Sequence, residues 1–185
     1  MQRIMHSITS VLHLIIYVQL QYLMINSGCG RSNSRWQIIK PAASCPPPWL
    51  AYKDYCYLCV LVERSYTRAD TYCRSFSQPG RPAHLASVAD DEENQFISDY
   101  GQGCHSGNKY WLGLNYLPTG GTYSWTDGTT GNYTNWRPGE PSVKPGLIIG
   151  CTNTLPITAT WNAANCSIKR SSMCKMPMGN FSHRA

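Results

Sequence analysis

The rhythm of apolar and polar positions changes repeatedly along this chain. Residues 8–25 are largely apolar, follow Arg3 and lead into the small residues Ser27 and Gly28. His13, Gln19 and Gln21 interrupt the run. A membrane anchor needs roughly 20 largely apolar residues, so a cleaved secretory signal over residues 1–28 is the better reading. Residues 29–44 are polar with little to bury and read as a linker. Residues 55–62 are rich in aromatic and branched side chains and predict a strand. Tyr66, Ala69, Cys73 and Phe76 then recur at helical spacing, with Thr67 and Asp70 spaced as a capping box. A second helix is expected over residues 90–100: Asp90 and Glu93 make another capping box, Asp91 and Glu92 suit the positive end of the helix dipole, and Gly101 marks a stop. After Cys104 no helical period survives, and Gly, Asn, Thr, Pro and Trp alternate up to Trp161. That stretch predicts short strands joined by a long ordered loop. Residues 171–176 supply a closing strand. Strand, two helices, then strands and loops is an α+β order.

Composition narrows the picture. Nothing downstream of the leader is apolar enough for a second span, so no stable membrane insertion is expected after signal cleavage. About 150 mature residues suit one domain. Lys and Arg number 16 against 10 acidic residues, and losing Arg3 with the leader leaves 15 against 10. The bases are scattered, with only Lys169 and Arg170 adjacent, whereas a nucleic-acid site wants a concentrated stripe. No nucleic-acid partner is expected.

Nine cysteines in 185 residues point to an oxidising compartment, although spacing alone leaves their pairing open. Cys56-x-x-Cys59 matches a redox or half-zinc spacing. Zinc would need a second ligand pair, and a redox dithiol would want a helix start instead of a strand. No nucleophile elbow, phosphate loop or His-Glu-x-x-His helix is present, and His84, His105 and His183 stand in no catalytic motif. An enzyme is not expected.

Several short stretches carry a more specific signal. Cys45-Pro46 with Trp49 and Cys56-Tyr57 comes first, then Tyr66-x-x-Ala69-x-x-x-Cys73. His84-Leu85-Ala86-Ser87-Val88 follows, with Glu93-Asn94-Gln95-Phe96-Ile97 and Trp111-Leu112-Gly113-Leu114. Asn135-Trp136-Arg137-Pro138-Gly139-Glu140-Pro141 and Trp161-Asn162 complete the series. In this order, between these cysteines, they resemble the long form of the C-type lectin-like domain over residues 45–177, leaving residues 178–185 as a tail. The resemblance implies bridges from Cys45 to Cys56, Cys73 to Cys174 and Cys151 to Cys166. If cleavage removes Cys29, Cys59 and Cys104 remain as an even pair for a fourth bridge.

In calcium-dependent members of that family, a Glu-Pro-Asn or Gln-Pro-Asp triplet, a downstream carboxylate and an Asn-Asp pair surround one ion. Calcium takes six to eight hard oxygens, so the count matters. Here Glu140 and Pro141 are kept, and Pro141 is where the family places a cis bond. Ser142 replaces the amide or carboxylate, and Ile149 takes the usual carboxylate position. Asn162 is kept, while Ala163 replaces the Asp. Between Leu112 and Asn165 the carboxylates are Asp127 and Glu140 alone; Tyr116 and Gly120 fall near the auxiliary calcium positions, and Asp127-Gly128 reads as a turn. No cofactor is therefore expected to be required, with Glu140 and Asn162 left as weak calcium ligands.

The resemblance implies a ligand site of Glu140, Pro141, Ser142, Asn162, Trp136 and Trp161. Tyr116, Tyr123 and Tyr133 are further stacking candidates, and Asn153 a further polar one. Sequons at Asn132, Asn165 and Asn180 fit the secretory route. The expected function is that of a secreted, extracellular C-type lectin-like glycoprotein binding carbohydrate or glycoprotein ligands with weak or absent calcium dependence. The alternative is a module on the same fold that binds a protein partner.

Overall fold

The computed structural model describes residues 43–117, 121–142 and 149–180. The leader, Cys29, Gly120 and the last five residues lie outside that range. Among the described residues, ten strands and two helices follow in order: β1 (Ala43–Ser44), β2 (Leu50–Tyr52), β3 (Tyr55–Arg64), α1 (Tyr66–Arg74), β4 (His84–Leu85), α2 (Asp91–His105), β5 (Tyr110–Leu117), β6 (Thr122–Trp125), β7 (Ile149–Leu155), β8 (Thr160–Asn165), β9 (Arg170–Pro177) and β10 (Gly179–Asn180). The main sheet runs β2-β3-β9-β5-β7-β8, with β4 on β9 and β6 on β5. Its pairings are antiparallel except β5 with β9. This is the α+β class expected from the sequence.

Strand alternation makes two cores from one sheet, because successive side chains leave a strand on opposite faces. Along β3, Cys56 and Val60 join one cluster and Tyr57 the other. Trp111 on β5 and Cys174 on β9 join the first, Tyr110, Leu112 and Met173 the second. Helix α1 adds Tyr66, Ala69 and Cys73 to the first cluster, and α2 adds Ile97 to the second. The helices therefore pack on opposite faces.

Helix α2 starts as its sequence demands. The Asp90 side chain accepts from Glu93 N at 2.7 Å, and Lys53 bridges Asp90 at 3.0 Å and Glu92 at 3.1 Å. It does not stop at Gly101, as the sequence suggests, but continues to His105 and ends on Ser106 in the left-handed region, φ 51°. Gly101 serves a close approach instead. A Cβ there would meet Tyr110 Cε1 at 2.5 Å, while Tyr110 Oη donates to Ile97 O at 2.8 Å. The Thr67 and Asp70 spacing is likewise no cap. Ser65 is the N-cap and makes no side-chain bond, while buried Asp70 accepts from Leu85 N at 3.1 Å and Arg74 Nε at 2.6 Å. Tertiary partners outcompeted the local motif in both places.

A buried polar group locks α2 to the sheet. Glu93 pairs with Lys175, accepts from Tyr57 Oη, and takes Ala89 N at 2.8 Å. Lys175 Nζ also reaches Ser87 O and Oγ, each at 3.2 Å. Burial, then the Glu93 charge, pushes the Tyr57 phenol up, so it stays a donor.

Four disulfides join Cys45 to Cys56, Cys59 to Cys104, Cys73 to Cys174 and Cys151 to Cys166. The pair from Cys73 to Cys174 closes 101 residues, worth ~4–5 kcal/mol in the chain-entropy account, and that from Cys151 to Cys166 closes 15, worth ~3 kcal/mol. β1 pairs with β10, so ordered pairing extends beyond residues 45–177 into the stretches expected to be linker and tail. Among the described residues, no helix is long and apolar enough to cross a membrane.

Candidate functional site

Strand β8 lies at one end of the main sheet, and its outer edge would present unpaired backbone groups. The loop over residues 135–140 covers that edge. Trp161 N donates to Asn135 O at 2.8 Å, and Arg137 N donates to Trp161 O at 3.0 Å. The next outward donor, Ala163 N, meets the Glu140 carboxylate at 3.1 Å. A side-chain oxygen thus completes a series begun by backbone.

Glu140 is aimed by a turn. Glu140 N donates to Arg137 O at 2.9 Å across Pro138 and Gly139, and Gly139 has φ 83°, the placement of Pro and Gly that a type II turn requires. Glu140 Oε2 accepts from Ala163 N, from Ser142 N at 2.8 Å and from Ser142 Oγ at 3.2 Å. Arg137 Nη2 stands 3.9 Å from Oε1. Partial burial pushes this carboxyl upward, but the bonds from Ser142 and Ala163, with Arg137 nearby, outweigh it and hold the group below its ordinary range. The Glu140–Pro141 peptide is cis.

An aromatic cluster supports the loop from beneath. Trp161 is fully buried, and its Nε1 donates to Asn94 Oδ1 at 2.9 Å. Trp125, Tyr133 and Trp136 meet it edge-on, with centroids 5.6–5.8 Å away. Tyr123 packs on Trp136 at 5.0 Å and Tyr116 on Tyr123 at 5.4 Å. Burial, followed by the Glu140 charge, pushes the Tyr123 phenol up to about 12. Tyr133 Oη donates to Asp91 Oδ1 at 2.7 Å, tying the loop to the start of α2.

These contacts divide the residues expected in the site. Glu140, Ser142 and the backbone of Ala163 come together, with exposed Pro141 and half-buried Trp136 beside them. Trp161 offers no open ring face; it anchors. Asn162 and Asn153 face each other in register, and both are buried. Asn153 Nδ2 donates to Asn162 O at 3.3 Å, and Oδ1 of each has no partner among the described residues. The Ile149 side chain and residues 143–148 lie outside the described residues. Asn132 is exposed, Asn165 accepts from Ser167 N at 2.8 Å, and the Asn180 side chain is outside the described residues.

The sequence places Asn94 and Asn135 within motifs and Asp91 at a helix start, but assigns none of them a role in the site. Asn94 Nδ2 and Asn135 Nδ2 both donate to Ala159 O, at 3.0 and 2.9 Å, so the two amides join α2, the loop and the turn before β8. The available signal was Asn94 itself, a polar residue buried on a helix face between Glu93 and Ile97.

A divalent cation here would need several oxygens free to turn toward it. Glu140 Oε2 is already shared by three donors, and Asp127 accepts from Thr129 N at 2.9 Å within its own turn. Calcium-ligand chemistry at Ser142 and Ala163 is limited to one hydroxyl and backbone carbonyl. Among the described residues, Oδ1 of Asn153 and Oδ1 of Asn162 are left without a donor, few beside the six to eight oxygens that calcium takes.

Residues 62–176 match the family model described as Lectin C-type domain. Mouse regenerating islet-derived protein 4 is 31% identical over 140 residues, covering 75% of this chain and 83% of the relative. The crystal structure of the C-type lectin CEL-I from Cucumaria echinata is similar with a TM-score of 0.68 and 26% identity, over 73% of this chain and 99% of that one. A calcium-independent type II antifreeze protein is similar with a TM-score of 0.64 and 25% identity, over 75% and 98%.

Proposed function

This chain belongs to the C-type lectin domain family, and from that premise we propose a secreted binding protein whose ligand face holds its shape without calcium. The observation that carries this reading is the bond from Ala163 N to Glu140, supplemented by both donors of Ser142. Backbone N–H groups supply the positive end that a bound cation supplies elsewhere, and the loop is fixed by protein alone. A neighbour on the same fold bears the name of a calcium-independent protein, which supports such a state as one the fold tolerates.

The ligand is a carbohydrate or glycoprotein, met by Ser142 Oγ, Glu140, Pro141 and the half-buried edge of Trp136. Hydroxyl-rich ligands suit this mixture of one carboxylate, one hydroxyl and an aromatic edge. Four bridges and the apolar leader support secretion, since disulfides persist in oxidising compartments. A glycan array probed with and without a chelator tests the proposal. Glycan binding that survives chelation is expected; binding lost with chelation overturns calcium independence. A blank array in both conditions overturns the carbohydrate reading and favours a protein ligand on the same surface.

A further inference from the structure

The bridge between Cys59 and Cys104 has a neighbour that neither the fold nor the ligand site explains. His105 follows Cys104 at the end of α2, and one ligand-type atom from each of Cys59, Cys104 and His105 lies within 4.8 Å of the others. His105 is 4% exposed, yet neither imidazole nitrogen has a hydrogen-bond partner among the described residues. Its ring is stacked on Tyr110, with centroids 4.4 Å apart. Buried polar groups are almost always paired, and an orphan pair of nitrogens calls for a missing ion or partner.

We propose that Cys59, Cys104 and His105 form a reduction-gated site for a soft divalent cation of the zinc class. Two thiolates and one imidazole are the donors such a cation selects, with a fourth position left to solvent. Cys104 and His105 supply the second ligand pair that the Cys56-x-x-Cys59 spacing lacked, while Cys56 itself is taken by Cys45. The place suits a cation, because the C-terminal end of a helix carries partial negative charge. The neutral form of the imidazole is the one that ligates.

The gate is chemical. Two small thiols supply the electrons: one thiolate attacks a bridge sulfur, the bond between Cys59 and Cys104 breaks, and a mixed disulfide forms. The second thiol resolves it, leaving one small-molecule disulfide and two cysteine thiols. The cation then displaces both thiol protons to solvent. Accessibility selects this bridge, since Cys59 and Cys104 are both half-buried while every other bridge contains at least one cysteine no more than 2% exposed.

The test uses the oxidised, folded chain, titrated with a phosphine without denaturant and followed by alkylation mapping, tryptophan emission and cobalt(II) absorption. Cys59 and Cys104 should become alkylatable first, with emission unchanged. One equivalent of cobalt(II) should then give a thiolate-to-cobalt charge-transfer band that zinc abolishes. The variant His105→Phe should bind cobalt at least ~10-fold more weakly, and Cys59→Ser with Cys104→Ser should give no band. His105→Gln replaces His105→Phe if the latter loses native emission. The proposal is overturned if free Cys59 and Cys104 thiols give no band, if the His105 variant binds as tightly, or if Cys73 and Cys174 open at the same phosphine dose.

Discussion

The sheet built on β3, β9 and β5 and the loop lobe over residues 121–142 are held by different physics. The first buries side chains on both faces, carries the bridge from Cys73 to Cys174, and seals the ion pair of Glu93 and Lys175 inside. The second has few regular strands and rests on a short series of backbone bonds, one carboxylate and a raft of edge-on aromatics. Global stability should therefore reside in the sheet, and the shape of the ligand face in the loop. Perturbations of one region should move a different observable from perturbations of the other.

The largest effect is expected at the sheet. Replacing Cys73 and Cys174 together by Ala should lower unfolding stability by ~4–5 kcal/mol, read as a denaturant midpoint shift, because the unfolded chain regains its freedom. Lys175→Ala strands the buried Glu93 and should cost ~3–5 kcal/mol in the same measurement. Either variant behaving like the parent would erase the contrast between the regions.

Glu140→Ala should act mainly on the loop. Loss of hydrogen bonds to a charged acceptor is worth ~1.5–3 kcal/mol, to be read as faster hydrogen exchange at the Ala163 amide with a smaller change in the global midpoint. The pH dependence sharpens this. A carboxyl depressed in the native state contributes its full stabilisation above its ordinary value of 4.5 and loses it as pH falls through the lower native value. Ala163 exchange should accelerate over that acidic window in the parent protein, and Glu140→Gln should remove the transition. Equal acid sensitivity in both proteins would mean that another group holds the loop.

What the sequence made legible was local or covalent. The Asp90 and Glu93 cap, the period of Tyr66, Ala69 and Cys73, and the aromatic and branched run over residues 55–62 are each fixed by near neighbours, and each appears in the structure as helix or strand. The end of α2 was misread because Gly101 answers to Tyr110, a residue brought there by the fold. Asp70 likewise answers to Leu85 N instead of to its own helix start. The candidate site is marked in the sequence by substitutions, Ser142 and Ala163 where the resemblance expects oxygen-rich residues. Its actual partner is not, because the group that meets Glu140 is the Ala163 backbone amide, which every residue but proline carries.

Calcium titration of the folded protein, followed by calorimetry and by the Ala163 amide resonance, tests most directly whether protein donors have taken over the role of a metal at Glu140. The expected result is no saturable heat and an unmoved Ala163 signal at millimolar calcium. Stoichiometric uptake that releases the Ala163 amide from Glu140 would contradict it.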